Sequence, residues 1–353
     1  MATSPVKEQP LPLERGLTAV AGLRVGHAEM ADRPTGCTVV LTDGGAVAGV
    51  DVRGGAPGSR ELALLDPAQT VEQVHAAVLA GGSAFGLATA TGVVDWLAER
   101  KIGFPTGGGP VPIVPAIILY DLEVGGRADV RPDADCGRRA CDAAGDGPVA
   151  EGSVGAGAGA TVGKLLGATR AMRGGLGTAA LRTTDGHTVA ALVAVNALGD
   201  VVDPRDGRLV AGARGDDGKP VDARRLVRSG GGARSPLTAG QNTTIGIIAT
   251  DAPLSKAGAT RLARMGHDGF ARTLYPAHTP FDGDALIALA TGRGPRLEDP
   301  MVLGQLGTLA AEAVAEAILR GVRRATPLPG FPTAEDAPSD RGDTSPKPPS
   351  TAK

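Results

Sequence analysis

Short apolar runs rich in β-branched residues alternate along this chain with longer helical stretches, and that alternation admits few architectures. Val189 to Ala197, Thr244 to Thr250 and Ala285 to Thr291 are too short for typical helices and read as buried strands. Ile113 to Tyr120 reads the same way. Ser255 to Leu274 reads as a helix with Ser255 as N-cap and Leu262, Met265 and Phe270 turned to the core. Met301 to Val322 reads as a long Ala-rich helix. Thr38 to Thr42 and Ala46 to Val52 read as paired strands around the turn Asp43-Gly44-Gly45. Thr70 to Arg100 reads as helical, broken at Gly81-Gly82-Ser83. Strands and helices interspersed at this density predict a layered α/β protein.

The layers must pack closely. Aromatic residues are only 2% of the chain, so the core is built from Ala, Val, Leu and Ile, and 54 glycines let backbones approach. One domain is expected over residues 16–325, between a disordered arm (1–15) and a disordered tail (326–353) rich in Pro, Ser, Thr, Asp and Lys. A net charge of −2, with no Lys/Arg block among aromatics, argues against a nucleic-acid partner. Three cysteines without a CxxC pair fit a reducing, cytoplasmic setting. The first 15 residues carry three prolines and no apolar h-region, which argues against a signal peptide. No apolar run reads as a bilayer span, so no membrane partner is expected.

Several familiar patterns fail on their spacing. In Gly157-Ala-Gly-Ala-Thr-Val-Gly163-Lys164 the first glycine is one position early for a phosphate loop, and Leu165 stands where Ser or Thr holds magnesium. Gly155-x-Gly157-x-Gly159 misses the dinucleotide fingerprint. In Gly81-Gly82-Ser83-Ala84-Phe85 a phenylalanine replaces the second glycine of a nucleophile elbow. The five histidines show no HxH or HxxxH spacing, so a zinc site is not expected, and with the nucleotide patterns failing as well no organic cofactor is expected.

Asn242-Thr243-Thr244 survives this elimination. It follows a Pro/Gly-bearing loop and opens the run Ile245 to Thr250. The bland reading is a turn meeting a strand. The chemical reading is a breakable Asn–Thr bond whose cleavage would give Thr243 both a hydroxyl nucleophile and an α-amine base. Asp282-Gly283-Asp284 places two carboxylates on one side of an extended segment, suited to orienting a hydroxyl and an ammonium; it also reads as an Asp-Gly hairpin turn.

Seven ordered blocks give these residues a context. They are Asp51-Val-Arg-Gly-Gly-Ala-Pro-Gly58, Ala80-Gly-Gly-Ser-Ala-Phe-Gly86, Pro115-Ala-Ile-Ile-Leu-Tyr-Asp121, Gly155 to Lys164, Val195-Asn196, Asn242-Thr-Thr-Ile-Gly246 and His278-Thr-Pro-Phe-Asp-Gly-Asp284. Over Leu17 to Ala325 the chain resembles the L-aminopeptidase/D-esterase (DmpA) family, which includes β-peptidyl aminopeptidases and nylon-oligomer hydrolases. The resemblance implies a four-layer αββα sandwich like that of N-terminal-nucleophile hydrolases, with different strand connectivity. It also implies self-cleavage between Asn242 and Thr243, a homo-oligomer of cleaved pairs, and a small peptide, amide or oligoamide substrate. By the same resemblance Thr243 is the nucleophile and Asn196 the oxyanion donor. Tyr120 contacts substrate or oxyanion, Asp282 and Asp284 flank the nucleophile, and Lys164 lies near the active centre. Many members carry Ser as nucleophile with Ser and Glu at the flanking positions; Thr243 with Asp282 and Asp284 is similar to the nylon-oligomer branch. An acetyltransferase similar to ornithine acetyltransferase and a non-catalytic oligomeric binding protein stand as the alternatives.

Overall fold

The structure, a computed structural model, describes residues 14–230, 241–297 and 301–336. Its strands are β1 (Leu23–Glu29), β2 (Gly36–Val52), β3 (Ser59–Arg60), β4 (Gln73–Ala80), β5 (Ala116–Ile118), β6 (Thr161–Val162) and β7 (Met172–Arg173). They continue as β8 (Gly175–Arg182), β9 (Thr188–Asn196), β10 (Asp200–Val202), β11 (Leu209–Ala211), β12 (Thr243–Thr250), β13 (Leu274–Tyr275) and β14 (Ala285–Ala290). The α-helices are α1 (Thr89–Glu99), α2 (Ala134–Asp142), α3 (Ala223–Arg228), α4 (Lys256–Thr273) and α5 (Met301–Arg323).

Nine strands share one hydrogen-bonded sheet, ordered β3-β5-β4-β2-β14-β12-β9-β8 with β1 added to β2. The 17-residue β2 is its spine. Gly36 to Thr42 pairs with β1, while Val47 to Val52 pairs with β14. The expected hairpin at Asp43-Gly44-Gly45 is therefore corrected. Gly44 and Gly45 take positive φ, the register with β4 shifts between Leu41 and Ala46, and the chain continues in its original direction. An irregularity of this kind bends a strand instead of reversing it.

That bend divides one sheet between two layers, and the apolar residues sort accordingly. In β4, Ala76, Val78 and Ala80 face an outer core with Val93, Trp96 and Leu97 of α1 and Cys136 and Ala140 of α2. Ala77 and Leu79 face the opposite way, into a middle core shared with Ile245, Ile247 and Ala249 of β12. Ile248 of β12 faces a third core, under Leu262 and Phe270 of α4 and Leu306 and Val314 of α5. Three cores separate four layers: helices, sheet, sheet, helices. This is the αββα sandwich. The stretch Gln73 to Ala80, read as helical from its sequence, is thus a strand buried on both faces, where no polar alternation marks the period.

Small residues set the layer spacing. A Cβ at Gly49 of β2 would lie 2.3 Å from Thr260 N, so α4 rests directly on the strand's backbone. The N-cap expected of α4 is present, with Ser255 Oγ accepting from Gly258 N at 3.2 Å. Helix α5 is long and apolar enough to cross a bilayer by length and composition, contrary to the sequence reading; most of it is buried against the sheet and α4 as a core helix.

The expectation of a disordered tail from Thr326 is corrected over its first residues. Arg173 N donates to Pro332 O at 2.9 Å, Arg173 Nε donates to Thr326 O at 3.1 Å, and Thr333 is buried. Of the expected arm over 1–15, residues 1–13 lie outside the described residues, as does the remaining tail over 337–353, while the Arg15 carbonyl accepts from Thr18 Oγ1 at 2.9 Å.

Candidate active site

Strand directions gather the chemistry. β12 and β14 run parallel, with Ile245 opposite Ala285, so the segments preceding both strands emerge at the same end. One carries Asn242 and Thr243, the other Asp282 and Asp284. β9 runs antiparallel to β12 with Asn196 opposite Thr243, so its last residue arrives at that end as well. Thr243 and Asn242 are both buried. The Thr243 hydroxyl donates to the carbonyl oxygen of Asn242, and Gly283 N donates to that oxygen at 2.8 Å. Gly283 has no room for a side chain: a Cβ there would lie 2.8 Å from Thr243 Oγ1 and 2.9 Å from Ala56 O.

Asn196 is fixed on all sides. Its Oδ1 accepts from Thr161 N at 3.0 Å and from Lys164 Nζ at 2.8 Å. Its Nδ2 donates to Tyr120 O at 2.8 Å, and its backbone carbonyl accepts from Lys164 Nζ at 2.9 Å. The Gly-rich stretch before Lys164 is a 3₁₀ turn leading into β6, which delivers Thr161 and Lys164 to Asn196. Burial pushes the Lys164 ammonium down to about 7 against the opposing pull of Asp282, Glu123 and Asp121. Tyr120 reaches Asn196 through its backbone. Its ring is half-buried, with the hydroxyl toward Glu123 and Gln241, and burial raises its pKa.

Both carboxylates are buried and anchored differently. Asp284 Oδ1 accepts from Thr244 N at 2.7 Å, and Oδ2 accepts from His278 N and Nδ1, both at 2.9 Å. Asp282 Oδ2 accepts from Thr279 N at 2.8 Å and Thr279 Oγ1 at 2.5 Å. Burial, reinforced by the Asp284 charge, pushes Asp282 up to about 6, while the Thr279 donors and Lys164 oppose the rise. A buried lysine and a buried carboxyl therefore both exchange protons close to neutral pH, the range suited to general acid–base work.

The structure thus brings Thr243, Asn242, Asn196, Lys164, Asp282 and Asp284 together, with Tyr120 adjoining through its carbonyl. Thr161, Thr279, His278 and the Gly283 N–H belong to the same cluster; each lies within a motif block, but none was given a site role from the sequence. His278 lies six residues from Asp284, a spacing tied to no periodic element. Among the described residues no group of three or more His, Cys, Asp or Glu is arranged to hold a metal ion.

Comparison with known proteins identifies the family and the fold. The family model described as Peptidase family S58 matches residues 16–335. An uncharacterised aminopeptidase of Mycobacterium tuberculosis is 45% identical over 342 residues, spanning 91% of this chain and 97% of that protein. A 6-aminohexanoate-oligomer endohydrolase of Paenarthrobacter ureafaciens is 32% identical over 314 residues, spanning 84% of this chain and 83% of its own. A β-aminopeptidase of Burkholderia sp. superposes with a TM-score of 0.66 at 26% identity, over 91% of this chain and 90% of its own. The L-aminopeptidase D-Ala-esterase/amidase of Ochrobactrum anthropi, described as a variant of the Ntn hydrolase fold, shares the fold with a TM-score of 0.67 at 21% identity, over 94% of this chain and 93% of its own. With the family match running through all three cores and the site, the chain belongs to peptidase family S58 and is a hydrolase of peptide or amide bonds.

Proposed function

We propose that the chain cleaves itself between Asn242 and Thr243 and then works as an N-terminal-threonine amide hydrolase. The observation that carries this reading is the Thr243 hydroxyl lying against the Asn242 carbonyl while Gly283 N–H holds that carbonyl's oxygen. In the precursor, Thr243 Oγ attacks the Asn242 carbonyl carbon, and its proton passes to a neighbouring base. The oxygen becomes an anion facing the Gly283 N–H. The C–N bond then breaks, the nitrogen takes a proton, and an ester links Asn242 to Thr243 Oγ. Water hydrolyses the ester, releasing Asn242 as a carboxylate and Thr243 with a free hydroxyl and amine.

In turnover the α-amine, with an unperturbed pKa of about 7.7–8.0, serves as base. Thr243 Oγ attacks the substrate amide, the amine product leaves, and water hydrolyses the acyl-enzyme. Asn196 Nδ2 supplies an oxyanion donor, a contribution typically of about 3–4 kcal/mol. Oδ1 is committed to Thr161 and Lys164 and one Nδ2 hydrogen to Tyr120 O, so the second Nδ2 hydrogen is the one assigned to the oxyanion. Lys164, Asp282 and Asp284 hold the proton inventory around the nucleophile.

N-terminal peptide bonds and small amides are the proposed substrates, in keeping with the aminopeptidase relatives. Hydrolysis of 6-aminohexanoate oligomers is the second reading, favoured by the Thr/Asp/Asp combination and the endohydrolase relatives. Assembly of cleaved pairs into a homo-oligomer belongs to the same proposal, and light scattering reads it directly. The parent chain should run on a denaturing gel as fragments of about 24 and 11 kDa by length, the smaller beginning at Thr243. Thr243→Ala should stay full length and inert toward dipeptide amides, β-peptides, D-amino-acid esters and 6-aminohexanoate oligomers. A Thr243→Ala chain that still cleaves or hydrolyses removes Thr243 from the mechanism.

A further inference from the structure

His278 stands in an unusual position for a side chain that the proposed chemistry does not use. Its backbone φ of +58° lies in the left-handed region, uncommon for a residue with a Cβ though less so for His, Asn and Asp. A conformation of that kind persists where the surroundings impose it. Here they do so from two sides. The imidazole packs edge-on against His267, with centroids 4.8 Å apart, and tilted against Phe270 at 5.7 Å, both on α4. His267 is itself anchored, its Nε2 bonded to Asp51 O at 3.1 Å, and burial pushes it down to about 4, so it is neutral at working pH. On the other side, His278 N and Nδ1 converge on the single oxygen Oδ2 of Asp284. An ionised carboxylate only accepts, so Nδ1 carries the hydrogen.

We infer that His278 is a positioning residue for the proposed reaction: by donating twice to Asp284 Oδ2 it turns Oδ1 onto the N–H of Thr244, and so fixes where Thr243 stands. The inference rests on the Thr243 reading. It assigns the left-handed conformation at His278 a purpose, with α4 as an anvil, His278 as the rod and Asp284 as the part that is aligned.

An electrostatic consequence follows. The carboxylate pair is faced by Lys164, with Asp121 and Glu123 behind it, and by His278; behind His278 lies His267 of α4, with Asp51 and Arg53 beside it at the end of β2. Three N–H groups converge on the two oxygens of Asp284, whereas Asp282 has its donors on one oxygen only. Two neighbouring carboxylates compete for one proton, which then belongs to the pair. Removing the Nδ1 donor makes the doubly ionised pair less stable, so it takes up a proton at higher pH.

His278→Gly and His278→Asn separate donor from backbone. Both residues accept the positive φ and keep the backbone N–H, but only asparagine returns a side-chain N–H toward Asp284. The experiment follows self-cleavage by denaturing gel, folding by circular dichroism, and kcat and KM against pH on an amino-acid p-nitroanilide. For His278→Gly, kcat should fall about tenfold or more with KM within about threefold, and the acid limb should move up by roughly half a pH unit or more. His278→Asn should recover most of the loss and return the limb toward its parental position. A folded glycine variant with parental kcat and limb overturns the proposal. So does a folded asparagine variant as impaired as glycine, because the ring's packing would then be its whole role. If the glycine chain does not fold, the asparagine variant decides alone, and a folded but impaired one overturns the proposal. Failure of the Thr243 reading shows separately, as cleavage or hydrolysis surviving in Thr243→Ala.

Discussion

Lys164 carries the sharpest residue-scale prediction. In an unfolded chain a lysine ammonium has a pKa of about 10.4; buried beside Asn196 this one is held down to about 7. Between those limits the folded chain sheds a proton that the unfolded chain keeps. The corresponding stability is fully present above the unfolded pKa and is lost as pH falls through 7. Asp282, pushed up to about 6, works in the opposite sense: its contribution is full below the unfolded carboxylate pKa and lost as pH rises through 6. Urea unfolding of the uncleaved Thr243→Ala chain should therefore show midpoints rising from pH 7.5 to 9.5. Lys164→Met in that background should flatten the rise, and an equal rise in both chains would mean the ammonium is not buried as a charge. Thr243 and the Asp282/Asp284 pair were legible from their own chemistry, a hydroxyl opening a strand and two carboxylates two residues apart, whereas Asn196, Tyr120 and Lys164 were reached only through the family resemblance. Their mutual geometry was not legible, since Asn196, Thr243 and Asp284 meet only through a strand register. His278 was visible only as the first residue of a motif block; its contact with Asp284 was not, because a contact across six loop residues has no period.

At the scale of elements, strands buried on both faces divided into the legible and the misread. Thr188–Asn196, Thr243–Thr250 and Ala285–Ala290 stood out as short apolar runs between turn residues. Gln73–Ala80 did not, because His75, Ala76, Ala77 and Ala80 favour no strand and the run leads into a real helix. β2 was split at Gly44-Gly45, since a pair of glycines marks a hairpin and a bulge equally well. The closeness of α4 to β2 gives the element-scale prediction. At Gly49→Ala the new methyl would meet Thr260 N at 2.3 Å and Ala259 C at 2.6 Å, both backbone atoms that cannot rotate away. Overpacking of this sort costs about 1–3 kcal/mol, so the thermal midpoint should drop by several degrees. A parental midpoint would show that helix and strand can separate without loss.

For the whole molecule, the proposed cut falls where it severs no sheet ladder. β12 begins at Thr243 and remains paired with β9 on one side and β14 on the other, while β2 continues to join both sheet layers. Fragments of 242 and 111 residues should consequently behave as one particle. Size-exclusion chromatography of cleaved protein in native buffer should give a single species containing both. Separation of the two without denaturant would contradict the placement of β12 at the centre of the sheet.

The pairing of Thr243 with Asn196 has one more consequence. A chain terminus ordinarily frays, and its ammonium samples a wide solid angle. The end created here would be born inside a finished ladder, clamped at its first residue by Asn196 and at its second by Asp284. Its amine would have the positional spread of a mid-strand nitrogen with the chemistry of a free base, and no lid or cofactor would be required to aim it.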